Sequence, residues 1–458
     1  MHHSLVSDGQ ALNYSELLGR TERAAAWLAS RGVTPQSVVG ISLDDEIEHL
    51  SASLALFALG ATQITLPTFE SGELNAKLAR RVGITHVIAK TETHAIEPLA
   101  FLPWKDAAGS AAEDLPADSL GRILLKTSGT TGDFNVVPFT EADIGAQSAR
   151  HAEYRDERLL RLASVEYNNS KRHRLYSLWN GGTNIFRPRT ASAVTELVHR
   201  HQVTCLDISR IHASDLAAAG TGTTLAHVKI RTGGSAIPID VRRLVERNVT
   251  PELYVRYATT ESGAISMAGP GQHDDDEVVG VPLPGVVLEI VDANGKALSP
   301  GETGEIRVQA AGMALGYLDS PTDTAKRFRD GWFWPGDVGT LRADGQVIVN
   351  GRADDMMILN GVNIFPAEIE RVLERHHAVR IAAALPIPSK VHGHIPVAAV
   401  ELHAEATTTA AELQDYARTH LALRAPRRIL IVDALPRNSQ GKIMRREIAK
   451  SFQPAGPS

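Results

Sequence analysis

The chain has 458 residues, a formal net charge of −6 and 43% hydrophobic residues; the length predicts about three folding units with cores of useful size. Its mild acidity gives no electrostatic reason to expect nucleic acid, whose binders usually show a basic stripe, and no apolar run is long enough to span a bilayer. The opening MHHSLVSDGQ lacks the basic-then-apolar order of a secretory signal. A single cysteine, Cys205, leaves no internal disulfide; it reads as a buried structural thiol, and a cytoplasmic location is expected.

In chain order, SELLGRTERAAAWLASRG has apolar residues at helical spacing and stops at Gly32. SVVGISL reads as a buried strand, IEHLSASLALFALGA as a second helix and THVIA as a second strand. This alternation predicts an α/β region of mixed or parallel sheet packed with helices. Residues 107–119 read as a loose connector. After Pro282 the segments VVLEIVD, GEIRVQ and QVIVNGR, separated by DANG, SPGETG and ADG turns, predict a small β subdomain with hairpins. PAEIERVLERH then reads as a helix with Pro366 in its first turn, AVRIAAALP as a strand and REIAKSF as a terminal helix.

The strand ILLKT runs into Thr127, Ser128, Gly129, Thr130, Thr131 and Gly132. Small residues let backbone N–H groups approach an oxyanion closely, and the hydroxyls add donors. This composition suits a phosphate cradle; an ordinary Gly/Thr turn is the alternative. It is not a GxxxxGK[ST] loop, because no lysine follows Gly132.

Further along stand GGSAIP (233–238), YATTE (257–261), WFWPGDVG (332–339), GRADDMMILNGVNIFPAEIE (351–370) and PRNSQGKIMRR (436–446). In this order and spacing, from about residue 10 to residue 447, the chain resembles the adenylate-forming superfamily of acyl- and aryl-CoA synthetases, peptide-synthetase adenylation domains and luciferase. The resemblance implies ATP, Mg²⁺ and CoA, or the phosphopantetheine of a carrier protein, as cofactors. It also implies a large N-terminal domain over 1–352 and a small mobile α+β domain over 353–458. Residues 127–132 would wrap the ATP phosphates. Gly233, Gly234 and Ser235, with Tyr257, Ala258 and Thr259, would form the adenine slot. Thr260 would contact the α-phosphate and Glu261 would hold Mg²⁺. Asp337 would bind the ribose and Arg352 the ribose and phosphate side. Asp354 would be the hinge, Lys442 the late-arriving catalytic cation, and Gly361 would let a pantetheine arm pass.

Four features depart from the family's pattern. Phe134 and Asn135 stand where Pro and Lys usually follow the phosphate loop, so one phosphate-side charge is missing. Ala258 replaces a Gly and Pro335 a Thr. Counting back from Gly182, Tyr167 takes the place of the residue between acid pocket and thiol tunnel, and NNSKRHR follows it. If that run begins a helix, Asn168, Lys171 and Arg172 share a face by i, i+3, i+4 spacing. That face is either solvated or binds a polar feature of a small, most naturally aromatic, acid. The expected reaction is activation of a carboxylic acid as acyl-AMP and transfer to CoA. Loading of a separate acyl carrier protein, capture by another nucleophile, and a degenerate nucleotide-binding protein are the alternatives. No nucleic acid or membrane partner is expected.

Overall fold

The computed structural model describes residues 3–7, 10–91, 100–104, 121–127, 134–187, 194–220, 225–274, 278–389, 391–437 and 443–452. Helix α1 (Tyr14–Ser30) starts where Asn13 accepts a bond from the Glu16 amide while Glu16 accepts one from the Asn13 amide, a reciprocal cap that satisfies two orphan donors. Asp45 caps α2 (Glu46–Ala58) through the amides of Ile47 and Glu48. Ser71 caps α3 (Gly72–Val82). Thr140 and Asp143 form a second reciprocal cap on α4 (Glu141–Ala149). Helix α5 (Asn168–Trp179) has no side-chain cap bond.

Two sheets frame these helices. In one, the strands run in the order Ala100–Pro103, His86–Ala89, Val38–Ser42, Thr62–Thr65, Arg122–Lys126 and Val136–Thr140, all parallel except the last. The second has nine strands. Its opening hairpin, His3–Ser7 with Gln10–Asn13, pairs onto Thr183–Ile185, an element the opening sequence did not suggest. Between the sheets lies a core of Leu50, Phe57, Leu125, Phe139, Ile144, Leu175 and Cys205. Cys205 is fully buried and burial pushes its thiol far above its ordinary value, so it is an inert structural group.

The β subdomain follows as expected. Val286–Val291 pairs with Thr303–Ala310, which pairs with Asp337–Leu341, which pairs with Val347–Arg352. A 3-10 turn, Ala353–Asp355, leads into a separate five-stranded sheet. Helices Pro366–Glu374 and Ala410–Leu421 cover one face of that sheet, and Ile448 and Phe452 cover the other. The result is a mixed α/β fold with a large N-terminal part and a small C-terminal one. Arg210 reaches from the large part to Glu374 of the small part at 2.7 Å, with both side chains largely buried.

Candidate active site

At one end, three residues from separate segments converge. Tyr257, on the strand Leu253–Thr259, donates its hydroxyl to the Asp337 carboxylate. Arg352 lies 3.4 Å from the other Asp337 oxygen and donates to the Pro335 carbonyl at 2.6 Å. Burial and the Asp337 charge push the Tyr257 phenol well above its ordinary value, so it stays a donor. Gly233 pairs with Arg256, which places the exposed Gly234 and Ser235 beside Tyr257. Ala258 falls at a bulge between this strand and Gly263–Ala268. Gly336 takes a φ of +78°, and a Cβ there would meet the Arg327 guanidinium at 1.9 Å, displacing the group that crosses it to bond Asp354 at 2.7 Å.

The strand ends at Thr259, and Thr260 and Glu261 lie in the turn that follows. The Thr259 hydroxyl accepts from the Ser262 amide at 3.1 Å and fixes the turn. The Glu261 carbonyl accepts from the Ala314 amide at 2.8 Å, and its carboxylate accepts from the Tyr317 hydroxyl at 2.8 Å. Among the described residues no group of three or more His, Cys, Asp or Glu is placed to hold a metal. Mg²⁺ asks less of a protein: one or two carboxylates, with phosphates and water completing the shell. The donor set fits such an ion: Glu261 would be its protein ligand, and Tyr317 would orient that carboxylate. Tyr317 carries no local sequence signal for this role, since it lies 56 residues from its partner.

Helix α5 forms the third wall and corrects the sequence reading. A solvated face is excluded, because Lys171 is 0% and Arg172 4% exposed. Nor do the two share neighbours. The Lys171 ammonium donates to Gln63 Oε1 at 2.9 Å and lies 3.5 Å from the Thr65 hydroxyl. The Arg172 guanidinium donates to the Thr260 carbonyl at 2.9 Å and to Gln147 Oε1 at 3.2 Å. Asn168 donates to the Lys126 carbonyl at 2.7 Å, and the Tyr167 ring packs on Phe69 with centroids 4.9 Å apart. Among the described residues neither Lys171 nor Arg172 has a carboxylate partner, whereas Arg174 pairs with Glu46 at 2.8 Å. Burial alone pulls the Lys171 ammonium down to about 7.

Asp354 lies beside Arg352 and Lys326 as well as Arg327. Partial burial raises its carboxyl, but the Arg327 bond and the three cations outweigh that and hold it below the usual carboxylate range. Gly361 occupies, with Asn360, the two-residue turn between Met357–Leu359 and Val362–Ile364. Both take positive φ, +50° and +83°, the geometry that favours Asn-Gly in tight hairpins. The expected phosphate contacts at Ser128, Gly129, Thr130, Thr131 and Gly132, and the catalytic Lys442, lie outside the described residues. Their described flanks do pair: Thr127 with Asn135, and Arg437 with Ile443.

A family model for AMP-binding enzymes matches residues 2–318, and one for the AMP-binding enzyme C-terminal domain matches residues 368–442. The 4-chlorobenzoate–CoA ligase of an Arthrobacter species is 30% identical, over 96% of this chain and 90% of its own. A probable non-canonical nonribosomal peptide synthetase of Salinispora arenicola, CymA, is 28% identical over 99% of this chain, which spans only 6% of that protein. The Bacillus subtilis o-succinylbenzoate CoA synthetase, solved with its acyl-adenylate intermediate, superposes with a TM-score of 0.88 at 25% identity, covering 98% of this chain and 95% of that one. The chain thus belongs to the AMP-binding enzymes of the adenylate-forming superfamily.

Proposed function

We propose that this enzyme joins a small, polar, aromatic acid to the AMP part of ATP and then hands the acyl group to the thiol of CoA. In the first step a carboxylate oxygen bonds to the α-phosphorus and pyrophosphate leaves. In the second, the CoA sulfur bonds to the acyl carbon and AMP leaves. The observation that carries this reading is the short segment from Tyr257 to Glu261, the end of one strand and the turn after it. It joins a ribose-side cluster, Tyr257 with Asp337 and Arg352, to a carboxylate suited to Mg²⁺. Mg²⁺, when bound there, supplies charge neutralisation at the phosphates.

Thr260 contacts the α-phosphate, and Lys442 stabilises the charge that builds as carboxylate and phosphate meet. The small domain, residues 353–458, turns about Asp354 to exchange Lys442 for the hairpin at Gly361. The buried cations Lys171 and Arg172, with Tyr167, favour a small polar acid over a long alkyl chain. The ligase relatives favour CoA as acceptor. A second reading, loading of a separate carrier protein, draws on the likeness to CymA. On the small domain, Arg380 is already paired with Glu401 at 2.9 Å and so offers less to the phosphates of CoA.

The test is a panel of aromatic, dicarboxylic and long-chain acids, assayed for pyrophosphate release and for thioester with CoA, with a carrier protein and with amines. Thioester on CoA from a small aromatic acid is expected. Thioester on a carrier protein but never on CoA overturns the choice of acceptor. Nucleotide binding with no release across the panel favours a degenerate homologue.

A further inference from the structure

The phosphate loop lacks the cation that its relatives usually carry at the position of Asn135, and Asn135 itself is committed elsewhere. Its side-chain amide donates to Asp323 at 3.1 Å and accepts from the Ser320 hydroxyl at 3.0 Å. The neighbouring Phe134 is buried and gathers cations instead. The ammonium of Lys77 lies 5.9 Å from its ring centroid, the guanidinium of Arg81 5.2 Å and the ammonium of Lys126 5.4 Å. Arg81 is occupied by the Phe134 carbonyl and by the Ser320 hydroxyl at 3.1 Å.

Lys126 is placed differently. It ends the strand Arg122–Lys126, pairs with Val136, and has its carbonyl anchored by Asn168 of α5. It directly precedes Thr127, whose amide and hydroxyl close on Asn135 at 2.8 and 3.2 Å. Its backbone is therefore fixed at the mouth of the loop. Its ammonium is partly exposed, and its one acidic partner among the described residues is Glu70 at 3.5 Å. A single pair of that length, with both side chains still reaching solvent, is weak, and a polyphosphate carrying several charges competes well against one carboxylate.

We propose that Lys126 supplies the phosphate-side charge that the loop lacks, exchanging Glu70 for the β- and γ-phosphates of ATP. This rests on the reading of the chain as an ATP-dependent enzyme. Glu70 then acts as a competitor for the lysine, and the two side chains have opposite effects on nucleotide affinity.

The test is calorimetric titration of the full chain with Mg·ATP and, separately, with AMP, using Lys126→Met, Lys126→Arg, Glu70→Gln and the double variant Lys126→Met/Glu70→Gln. Lys126→Met is expected to weaken ATP binding roughly 10-fold while AMP binding stays within about twofold. Lys126→Arg retains ATP affinity and shows that the site tolerates substitution. Glu70→Gln is expected to tighten ATP binding about threefold, a gain that vanishes in the double variant. Equal weakening of ATP and AMP in Lys126→Met, or weaker ATP binding in Glu70→Gln, assigns the pair a structural role and overturns the proposal. A wild type that binds AMP and ATP equally well also overturns it, and one that binds neither overturns the ATP-dependent reading with it.

Discussion

The two ends of the site are built on opposite electrostatics. Beside Tyr257 two carboxylates meet cations: Asp337 faces Arg352, and Asp354 faces Arg327. Along α5, Lys171 and Arg172 are buried against neutral oxygens only. The first arrangement is balanced before any ligand arrives. The second leaves uncompensated positive charge in the interior, which costs free energy that an anionic ligand relieves. The contrast teaches that the nucleotide end is preorganised, whereas the α5 end is arranged for a charge that the protein does not supply.

The largest effect is expected at the balanced end. Asp337→Ala removes the acceptor of Tyr257 and the partner of Arg352, and steady-state kinetics should show kcat/KM for ATP falling roughly 100-fold. A loss that appears in the acid KM instead would break the division between the two ends.

Next comes a pH effect at α5. Below a pH of about 7 both folded and unfolded states hold the Lys171 proton, and folding bears the full cost of burying the charge. Above it the folded state releases the proton while the unfolded chain keeps it to about 10.4, so wild-type stability rises with pH. Lys171→Met removes the titrating group. Urea unfolding should show its stability advantage over wild type shrinking by roughly 2 kcal/mol from about pH 7 to about pH 9. A constant difference would mean that Lys171 keeps its proton in the folded state over this range, its charge compensated.

Arg172→Met should raise the KM for a small polar acid roughly 10-fold and that for ATP by less than about threefold. Equal rises would show that Arg172 acts through the Thr260 carbonyl and not on the acid. The smallest effect is expected for Tyr317→Phe, which removes one bond to Glu261. The Mg²⁺ concentration for half-maximal rate should rise about threefold to fivefold with kcat nearly unchanged. No change in a Mg²⁺ titration would show that Glu261 needs no orienting donor.

The sequence makes the nucleotide end readable because its chemistry sits in short segments with their own turn signals. YATTE and PGDVG each carry their polar residues within a few positions, and the structure brings Tyr257, Asp337 and Arg352 together. The strands and hairpins of the β subdomain follow their Gly and Asp turns for the same reason. Helix α5 was not readable in that way. NNSKRHR has the composition of a solvated surface, and only its position between two sheets buries it. The partners of Lys171 and Arg172 lie between 25 and 108 residues away, so no local pattern announces them. Lys126 escaped notice for a related reason, since its setting depends on Phe134, Glu70 and α5 meeting in space.

The central claim is that this chain makes an acyl adenylate, and the most direct measurement is exchange of labelled pyrophosphate into ATP by the purified protein. Exchange that requires both Mg²⁺ and a particular carboxylic acid is the predicted result, and Lys442→Ala should lower it by about 10² to 10³. Tight ATP binding without exchange, over a panel spanning aromatic, dicarboxylic and long-chain acids, would contradict the account.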